Sequence, residues 1–464
     1  MGRLKFGILF AMQQNSLLER LAARRRYGMR PGLATMRALL DALGNPQDSL
    51  KVVHVAGTNG KGAVTAMLDA VLRAAGYRVC RYTSPHLVSL AERFFVDGVV
   101  APAAELDAVA DVVFPVVERL ESEKGLEVTF FECLTAVAFV LFARVKPDYV
   151  VLETGLGGRL DATNVASNVL VSVITHIGLD HCDWLGDTHA AIAEEKAGII
   201  KPGRPVVCGT MPESAKETIE RFASLNGSAF YSVADHVSVV KTSPLIATTA
   251  HRNLPPINLA LFGAFQTENA LTVLTAVDAL VQDCGLKISD HAIVEGLEHV
   301  VWPGRCQRVE KDGVTVIVDG AHNPDGAMAL RDSLRLAHVK EPVGLIAGFC
   351  GDKDVLAHLR IMSALATRGW AVPIQNARSL DPGDVAERML MAGFAEAESC
   401  SSLEAAFGRA LAWARTSGGT LVVCGSLFLS GEALVALDAF PWEVREPDEN
   451  ELTILQNGSS DKRL

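Results

Sequence analysis

A glycine-rich segment with one lysine is the first stretch of this chain whose residue types could do chemistry. Residues 54–64 read HVAGTNGKGAV, and Lys61 is the only lysine or arginine among them. A glycine-rich turn between a strand and a helix presents backbone N–H groups to phosphate oxygens, and its lysine reaches the terminal phosphates of a nucleotide. The segment therefore predicts a phosphate-binding loop, formed by Gly57, Thr58, Asn59, Gly60, Lys61 and Gly62.

The residue after the lysine departs from the usual phosphate-loop pattern. That pattern places Ser or Thr there to bind Mg²⁺, whereas this chain has Gly62 followed by Ala63. If the loop binds ATP, the metal-binding hydroxyl must therefore come from another segment. An ordinary glycine turn without a ligand is the alternative, and it is disfavoured by the strand and helix expected on either side.

A strand before the loop and a helix after it are the elements that must position it. Buried strands are predicted for four short apolar runs, at 50–56, 78–83, 149–154 and 170–175. A helix from Gly62 to Ala75 is predicted from five apolar residues at helical spacing, Val64, Met67, Leu68, Val71 and Leu72. Strand, glycine turn, helix and strand form a βαβ unit, so we expect a largely parallel sheet with helices on both faces.

A second α/β pattern follows the segment VVWPGRCQR. Strands are predicted at 314–322, 342–349 and 420–426, with helices between them. We therefore predict an α/β fold with two doubly wound domains, at 1–302 and 308–445, with the boundary near 300–308. A chain of 464 residues has the length for two or three domains.

The charge balance argues against nucleic acid as a partner. The chain has 43 Lys plus Arg against 54 Asp plus Glu, a net charge of −11, and no dense basic run. Sequence-independent binding of nucleic acid depends on basic residues that neutralise phosphates.

The cysteines and the two ends of the sequence indicate where in the cell the protein is expected to be. Nine cysteines are scattered singly without a Cys-x-x-Cys pair, which favours reduced thiols in a cytoplasmic protein. The apolar run at 6–12 is too short to span a bilayer, so no membrane association is expected and the run is interpreted as a packed lead-in to a first helix. The polar segment 445–464 is expected to be a loosely held tail.

Further motifs occur in a fixed order along the chain. They are YTSPHL (82–87), ERF (92–94), TFFE (129–132), ETGLGGRLDATN (153–164), ITHIGLDH (174–181), EKAGIIK (195–201), WPGRCQ (302–307) and VDGAHNPDG (318–326). Together with HVAGTNGKG, this ordered set closely resembles the folylpolyglutamate synthase / dihydrofolate synthase family of the Mur ligase superfamily. The resemblance extends from about Gly28 to about Gly431.

The resemblance implies both an architecture and an activity. The first domain is expected to be a P-loop ATPase-like Mur ligase central domain, and the second a smaller Rossmann-like domain. The implied reaction is ATP-dependent addition of L-glutamate to dihydropteroate, to tetrahydrofolate, or to both, through an acyl phosphate. The implied partners are these small molecules alone, and the protein is expected to be a monomer.

The resemblance also implies which residue provides the metal-binding hydroxyl that the phosphate loop lacks. It assigns two Mg²⁺ sites to Ser84, Glu153, His181 and a carbamylated Lys196, and it leaves open a monovalent cation. Catalytic roles are implied for Lys61, Lys196 and His181. Carbamylation requires a neutral amine, which burial favours by lowering the pKa of a lysine.

Nucleotide and substrate contacts are implied for residues farther along the chain. By resemblance, Asn269 contacts the adenine, Arg305 holds the terminal phosphates, and Asp319 and His322 reach the nucleotide and substrate from the second domain. Arg93 and Ser426 are implied as folate- or glutamate-side contacts. The chain departs from the family at two positions, Ala63 in place of Ser or Thr and Phe265 in place of His.

Two other functions stay open on the sequence alone. One is a Mur-type ligase that adds amino acids to cell-wall precursors. Such enzymes usually carry Ser or Thr after the lysine and a nucleotide-sugar domain before the phosphate loop, whereas this loop begins near residue 57. The other is a P-loop ATP-binding protein without ligase activity. ATP turnover that requires both a pteroate-type acid and glutamate would separate the predicted ligase from both.

Overall fold

Two α/β units, each built on its own sheet, make up the part of the chain that the computed structural model describes, residues 20–21, 32–351 and 353–442. Both sheets are mostly parallel, and helices flank them. The predicted fold class is therefore confirmed. The apolar run at 6–12 and the tail at 445–464 lie outside the described residues.

The first sheet has eight strands. They are β1 (Val52–Ala56), β2 (Val79–Tyr82), β3 (Phe94–Val96), β4 (Val99–Val100), β5 (Tyr149–Glu153), β6 (Val169–Ile174), β7 (Val206–Cys208) and β8 (Phe230–Ser232). Their order is β4-β3-β2-β5-β1-β6-β7-β8, and only the edge pairs β2–β3 and β3–β4 are antiparallel. Every residue of β1 is buried, as expected for a parallel strand covered on both faces.

Ten helices accompany this sheet among the described residues. They are α1 (Ala34–Ala42), α2 (Lys61–Ala74), α3 (Ala103–Lys124), α4 (Phe130–Val145), α5 (Cys182–Leu185), α6 (His189–Ala197), α7 (Glu213–Leu225), α8 (Val233–His236), α9 (Ala264–Gln282) and α10 (Asp290–His299). The helix predicted at 62–75 is α2, which begins one residue earlier, at Lys61. It packs against α9 and α10, and Ala63 lies in the core between them.

A two-stranded hairpin stands apart from the sheet. Its strands, β9 (Val237–Thr242) and β10 (Leu245–Thr249), are antiparallel. The hairpin is held to α9 by the buried carboxylate of Asp278, which accepts hydrogen bonds from Arg252 Nε at 2.8 Å and Thr249 Oγ1 at 2.5 Å. The sequence patterns did not predict this hairpin.

The second sheet has six strands and five flanking helices. The strands are β11 (Gln307–Lys311), β12 (Val314–Val318), β13 (Val343–Ala347), β14 (Ala366–Ala371), β15 (Glu396–Ser399) and β16 (Thr420–Cys424), in the order β11-β12-β16-β13-β14-β15. The helices are α11 (Pro324–Leu336), α12 (Val355–Met362), α13 (Pro382–Ala392), α14 (Leu403–Ser417) and α15 (Leu427–Ala436). Only β11 runs antiparallel to its neighbour.

The carboxyl ends of the two sheets face a common cleft. The chain crosses between the units in the linker 300–306, after α10 and before β11. A hydrogen bond between two helices also joins the units: Ala264 N at the start of α9 donates to Ser333 Oγ in α11 at 3.0 Å. In the cleft itself, Asn323 Nδ2 after β12 donates to Asp180 Oδ2 after β6 at 3.1 Å. No helix in the described part of the chain is both long and apolar enough to cross a membrane.

Candidate active site

The predicted phosphate loop connects β1 to α2 and is tied to the loop after β6. Thr58 N donates to the carbonyl oxygen of His176 at 2.8 Å, and Thr58 Oγ1 donates to that of Gly178 at 3.1 Å. Lys61 Nζ folds back onto the loop and donates to the carbonyl oxygens of Gly57 at 3.0 Å and Thr58 at 3.1 Å. Burial lowers the pKa of Lys61.

Two glycines of the loop are required by backbone shape as well as by space. Gly57 has φ +154°, and a β-carbon there would lie 1.9 Å from Thr175 Oγ1. Gly60 has φ +86°, and a β-carbon there would lie 2.3 Å from Asn269 Oδ1. L-residues with a side chain rarely adopt such φ values. The loop therefore lies directly against Thr175 and Asn269.

Glu153 and Ser84 meet at the ends of neighbouring strands. Glu153 is the last residue of β5 and is buried, and its Oε2 accepts a hydrogen bond from the backbone N of Ser84 at 3.0 Å. Burial raises the pKa of Glu153 to about 7, while the positive charge of Lys61 acts in the opposite direction. A buried carboxylate of this kind is stabilised in its charged form by a nearby cation.

Lys196 is buried near the carboxyl end of α6 and points at the phosphate loop. Its Nζ donates to the carbonyl oxygen of Gly57 at 2.9 Å, the same oxygen that Lys61 contacts. Burial lowers the pKa of Lys196 to about 7. Lys61, Lys196, Asp180 and His181 line one cavity beside the loop.

The four predicted metal ligands fall into two groups. Ser84 lies with Glu153, whereas His181 and Lys196 lie at the cavity, and both groups are within electrostatic range of Lys61. Within residues 20–21, 32–351 and 353–442, no three His, Cys, Asp or Glu side chains gather in a group that could hold a metal ion.

The linker and the second unit contribute Arg305, Asp319 and His322. Asp319 is buried after β12, and its two oxygens accept hydrogen bonds from the backbone N of Cys306 and of Ala321, both at 2.7 Å. The Arg305 guanidinium lies against Gly320, and its charge acts on Lys61 and Glu153. Asp319 thus fixes the backbone that carries Arg305, while His322 Nδ1 lies 2.8 Å from the carbonyl oxygen of Gly320.

Three other predicted site residues are held by neighbouring side chains or backbone. Asn269 is buried in α9, and its Nδ2 donates to Gln266 Oε1 at 2.9 Å. Arg93 is buried, and its Nε donates to His86 Nδ1 at 3.0 Å. Ser426 caps α15 by accepting a hydrogen bond from the backbone N of Phe428 at 3.1 Å.

Asp161 is a site residue that sequence reasoning missed. Its Oδ2 accepts hydrogen bonds from the backbone N of Gly155 at 2.9 Å and of Leu156 at 3.0 Å, and both residues line the cavity beside the phosphate loop. Its Oδ1 accepts a hydrogen bond from Thr163 N at 3.0 Å. An aspartate soon after the glycine run GLGG was the available signal, because a short carboxylate commonly holds the N–H groups of such a turn.

Asp180 was also missed, although it directly precedes His181. It accepts the hydrogen bond from Asn323, and Lys353 Nζ lies 4.0 Å from its Oδ1. Burial acts to raise the pKa of Asp180, but the charges of His181, Lys353 and His322 and the hydrogen bond from the backbone N of His181 together outweigh burial and lower it. Asp180 is therefore a contact between the two units across the cleft.

A second cavity lies where the linker meets both units. It is lined mainly by apolar and aromatic residues, Thr83, Pro85, Leu87, Glu92, Trp302, Pro303, Arg305, Leu427 and Trp442. Arg305 thus lines this cavity, and its charge also acts on Lys61 and Glu153.

Two family models match this chain in order. Residues 55–277 match the Mur ligase middle domain, and residues 304–427 match the Mur ligase glutamate ligase domain. The two matches together cover most of the described chain.

Curated relatives align over most of both lengths. The dihydrofolate synthase/folylpolyglutamate synthase of Bacillus subtilis (strain 168) is 35% identical over 350 residues, 74% of this chain and 81% of the relative. The enzyme of the same name from Escherichia coli (strain K12) is 34% identical over 416 residues, 88% of this chain and 92% of the relative.

Solved structures agree in fold. Mycobacterium tuberculosis folylpolyglutamate synthase complexed with ADP and AMPPCP has a TM-score of 0.83 and 31% identity, with 91% of this chain and 99% of that chain covered. Escherichia coli FolC in complex with DHPP and ADP has a TM-score of 0.80 and 31% identity, with 91% and 97% covered.

A third structure carries the remaining kinds of ligand. A bifunctional folylpolyglutamate synthase/dihydrofolate synthase with Mn, AMPPNP and L-glutamate bound has a TM-score of 0.79 and 30% identity, with 92% of this chain and 98% of that chain covered. With both ligase domains matched in order and relatives aligned over most of their length, this chain belongs to the folylpolyglutamate synthase / dihydrofolate synthase family of ATP-dependent Mur-type ligases.

Proposed function

We propose that this ligase adds L-glutamate to the carboxylate of dihydropteroate, of tetrahydrofolate, or of both, and that the cleft between its two units is the active site. The observation that carries the proposal is the convergence of Lys61, Glu153 and Arg305, three charged groups from the phosphate loop, a strand end and the linker. Phosphoryl transfer depends on charges positioned in this way.

ATP is proposed to bind at the phosphate loop, residues 57–62. The solved relatives crystallised with ADP, AMPPCP or AMPPNP support a nucleotide in this family. Asn269 lies against Gly60, a position that suits a contact to the nucleotide. Lys61 would leave the loop carbonyls for the terminal phosphates, and Arg305 would approach them from the linker.

A divalent metal is proposed near Ser84 and Glu153, and a second near His181 and Lys196. The Mn-bound relative supports a divalent metal in the family. The donor set fits Mg²⁺, which prefers oxygen ligands, because Glu153 is a buried carboxylate and a carbamylated Lys196 would add a second one. Such a metal would neutralise charge on the transferring phosphate. The monovalent cation stays a prediction.

The chain's own residues account for the remaining chemistry. Lys61 and Arg305 would stabilise charge as the substrate carboxylate takes the phosphoryl group. The glutamate amine then attacks the acyl phosphate, and phosphate leaves. The Asp180–Asn323 contact would help to close the cleft, which keeps water from the acyl phosphate. Arg93 and Ser426 are proposed on the substrate side.

The division into domains at 1–302 and 308–445, the monomeric state and the cytoplasmic location also stay predictions. The linker at 300–306 supports a boundary in that region, because α10 ends before it and β11 begins after it.

A glutamate-incorporation assay tests the proposed function. Purified protein is incubated with ATP, Mg²⁺, radiolabelled L-glutamate, and either dihydropteroate or tetrahydrofolate. We expect labelled product only when acid and nucleotide are both present. Lys61→Ala should lower turnover by about 10²- to 10³-fold with an unchanged melting temperature, while Lys124→Ala, at an exposed position, should match the wild type. ATP turnover that depends on neither acid nor glutamate would contradict the proposal.

A further inference from the structure

Gly62, the residue after the loop lysine, is a glycine for a different reason from Gly57 and Gly60. Its φ lies outside the left-handed region, so its backbone would accept a side chain. The obstacle is Trp302 of the linker, because a β-carbon on Gly62 would lie 2.3 Å from Trp302 Cζ2 and 3.1 Å from Cε2. No real β-carbon approaches ring atoms so closely. The indole therefore packs directly on the backbone of the phosphate loop.

The first unit holds the Trp302 indole on a second side as well. The Arg81 guanidinium lies 5.6 Å from the Trp302 ring and 3.8 Å from that of Phe95. Arg81 in turn donates to Asp69 of α2 at 3.1 Å, and both side chains are buried. Trp302 also packs against the hydrophobic core around α2. The linker is thus fixed to the helix that begins at Lys61.

The same linker carries Arg305 only three residues later. Pro303, whose ring restricts φ, and Gly304 lie between them. On the far side, Gly320 N donates to the carbonyl oxygen of Gly304 at 2.9 Å. The Arg305 backbone is therefore held by the first unit through Trp302 and by the second unit through the loop after β12. A displacement of the indole would have to move Arg305 or break these contacts.

We propose that Trp302 is a positioning residue that couples the phosphate loop to the linker, so that Arg305 stays in register with a nucleotide bound at residues 57–62. The inference rests on the proposed nucleotide site and deepens it. It also gives a physical reason for the missing hydroxyl after Lys61: a Ser or Thr side chain at position 62 would occupy the volume that the indole fills. The metal-binding hydroxyl must then come from another segment, for which Ser84 is the candidate.

A double-mutant cycle tests the coupling. Gly62→Ala inserts a methyl group against the indole, Trp302→Ala removes the indole, and the double variant removes the clash. We expect Gly62→Ala to lower kcat about 10-fold or more in the wild-type background but less than about 2-fold in the Trp302→Ala background, because coupled sites are non-additive. Trp302→Phe keeps an aromatic ring at this position and should retain most of the activity that Trp302→Ala loses. Gly408→Ala is the matched control, since nothing lies within 4 Å of a β-carbon there.

ADP binding supplies a readout that is independent of turnover. By calorimetry, Trp302→Ala should retain ADP affinity within about 3-fold, because Lys61 and the loop are intact, so that kcat falls more than the affinity for nucleotide. Addition of ADP should also change the tryptophan fluorescence of the wild type by more than that of Trp302→Phe. If Trp302→Ala does not fold, Trp302→Leu takes its place in the cycle.

The outcomes separate this inference from the proposed function. A wild type that does not bind ADP would overturn the nucleotide site and the coupling with it. If ADP binds but Gly62→Ala costs the same in both backgrounds, or Trp302→Ala keeps the full kcat, the nucleotide site stands and the coupling is overturned. If Trp302→Ala lowers the ADP affinity and the melting temperature together with kcat, the role of Trp302 is structural only, and the coupling is also overturned.

Discussion

Lys61 and Lys196 compete for one backbone oxygen. Their Nζ atoms lie 3.0 Å and 2.9 Å from the carbonyl oxygen of Gly57. Two ammonium groups that share a buried acceptor repel each other, and burial already disfavours both charges. The pKa of Lys196 falls to about 7, from burial first and the charge of Lys61 second. A large neutral fraction of Lys196 is therefore available at neutral pH, and carbamylation requires that form.

Lys196 is predicted to carry a carbamate that matters for activity. Lys196→Ala should be nearly inactive, and acetate should partly restore turnover by supplying a carboxylate in the vacated space. Lys196→Arg should not restore it, because the guanidinium stays charged and forms no carbamate. The modification is measured by ¹³C NMR of protein equilibrated with ¹³CO₂. An active Lys196→Arg variant, or active wild type without the carbamate signal, would contradict the prediction.

Glu153 predicts a pH dependence of folding stability in the protein free of metal and nucleotide. Burial raises its pKa from 4.5 to about 7, so between these values the folded state holds a proton that the unfolded chain has lost. Stability should therefore fall as the pH rises from 4.5 to 7, by on the order of 3 kcal/mol. Glu153→Gln has no such proton and should remove this contribution. Denaturant unfolding of both proteins at several pH values measures the difference, and equal slopes would refute the prediction.

The buried strands were predictable because the core covers both of their faces. The run at 50–56 became β1, and the run at 149–154 became β5, since every position of a doubly covered strand favours an apolar residue. The hairpin strand β9 was not predictable in this way: its residues are largely exposed. The hairpin is anchored through Thr249 of β10 to Asp278, which lies 29 positions later in the chain, and such a contact leaves no local pattern.

The candidate site likewise has one part that the sequence predicts and another that it does not. The phosphate loop is local in sequence, so its residue types and spacing identified it. Trp302 against Gly62 and Asp180 against Asn323 join residues more than a hundred positions apart, and only the folded chain brings them together. The ordered motifs contained both pairs but did not show that they touch.

The loop after β2 is predicted to supply the hydroxyl that the phosphate loop lacks. Ser84 follows β2 and is held beside Glu153, whereas Ala63 belongs to α2 and is buried in the core. Ser84→Ala should therefore raise the Mg²⁺ concentration needed for half-maximal activity, while Ala63→Ser should leave it nearly unchanged. Magnesium titrations of the two variants make the comparison. An unchanged magnesium requirement in Ser84→Ala would rule out Ser84 as the metal-linked hydroxyl.

At the scale of the whole molecule, the two units meet at several contacts, and three of them differ in kind. The linker packs on the phosphate loop through Trp302, α9 bonds to α11 through Ala264 and Ser333, and the strand-end loops meet through Asp180 and Asn323. The first two lie at the linker and at a helix pair, whereas the third lies in the cleft itself, beside the cavity that Lys61 and Lys196 line. The contact between Asp180 and Asn323 is therefore the one best placed to keep water from the acyl phosphate.

Asp180→Ala is predicted to uncouple ATP use from ligation. The variant loses the hydrogen bond from Asn323 and the charge facing Lys353, so the cleft should open more often during the lifetime of the acyl phosphate, which water then hydrolyses. We expect the ratio of phosphate released to glutamate incorporated to rise from near one to several-fold higher, with acid and ATP still required. The two products are measured in one reaction. Asp187→Ala, an exposed substitution on the same segment, is the control. A ratio that stays at the wild-type value while both rates fall together would show that Asp180 acts on the chemistry and not on closure.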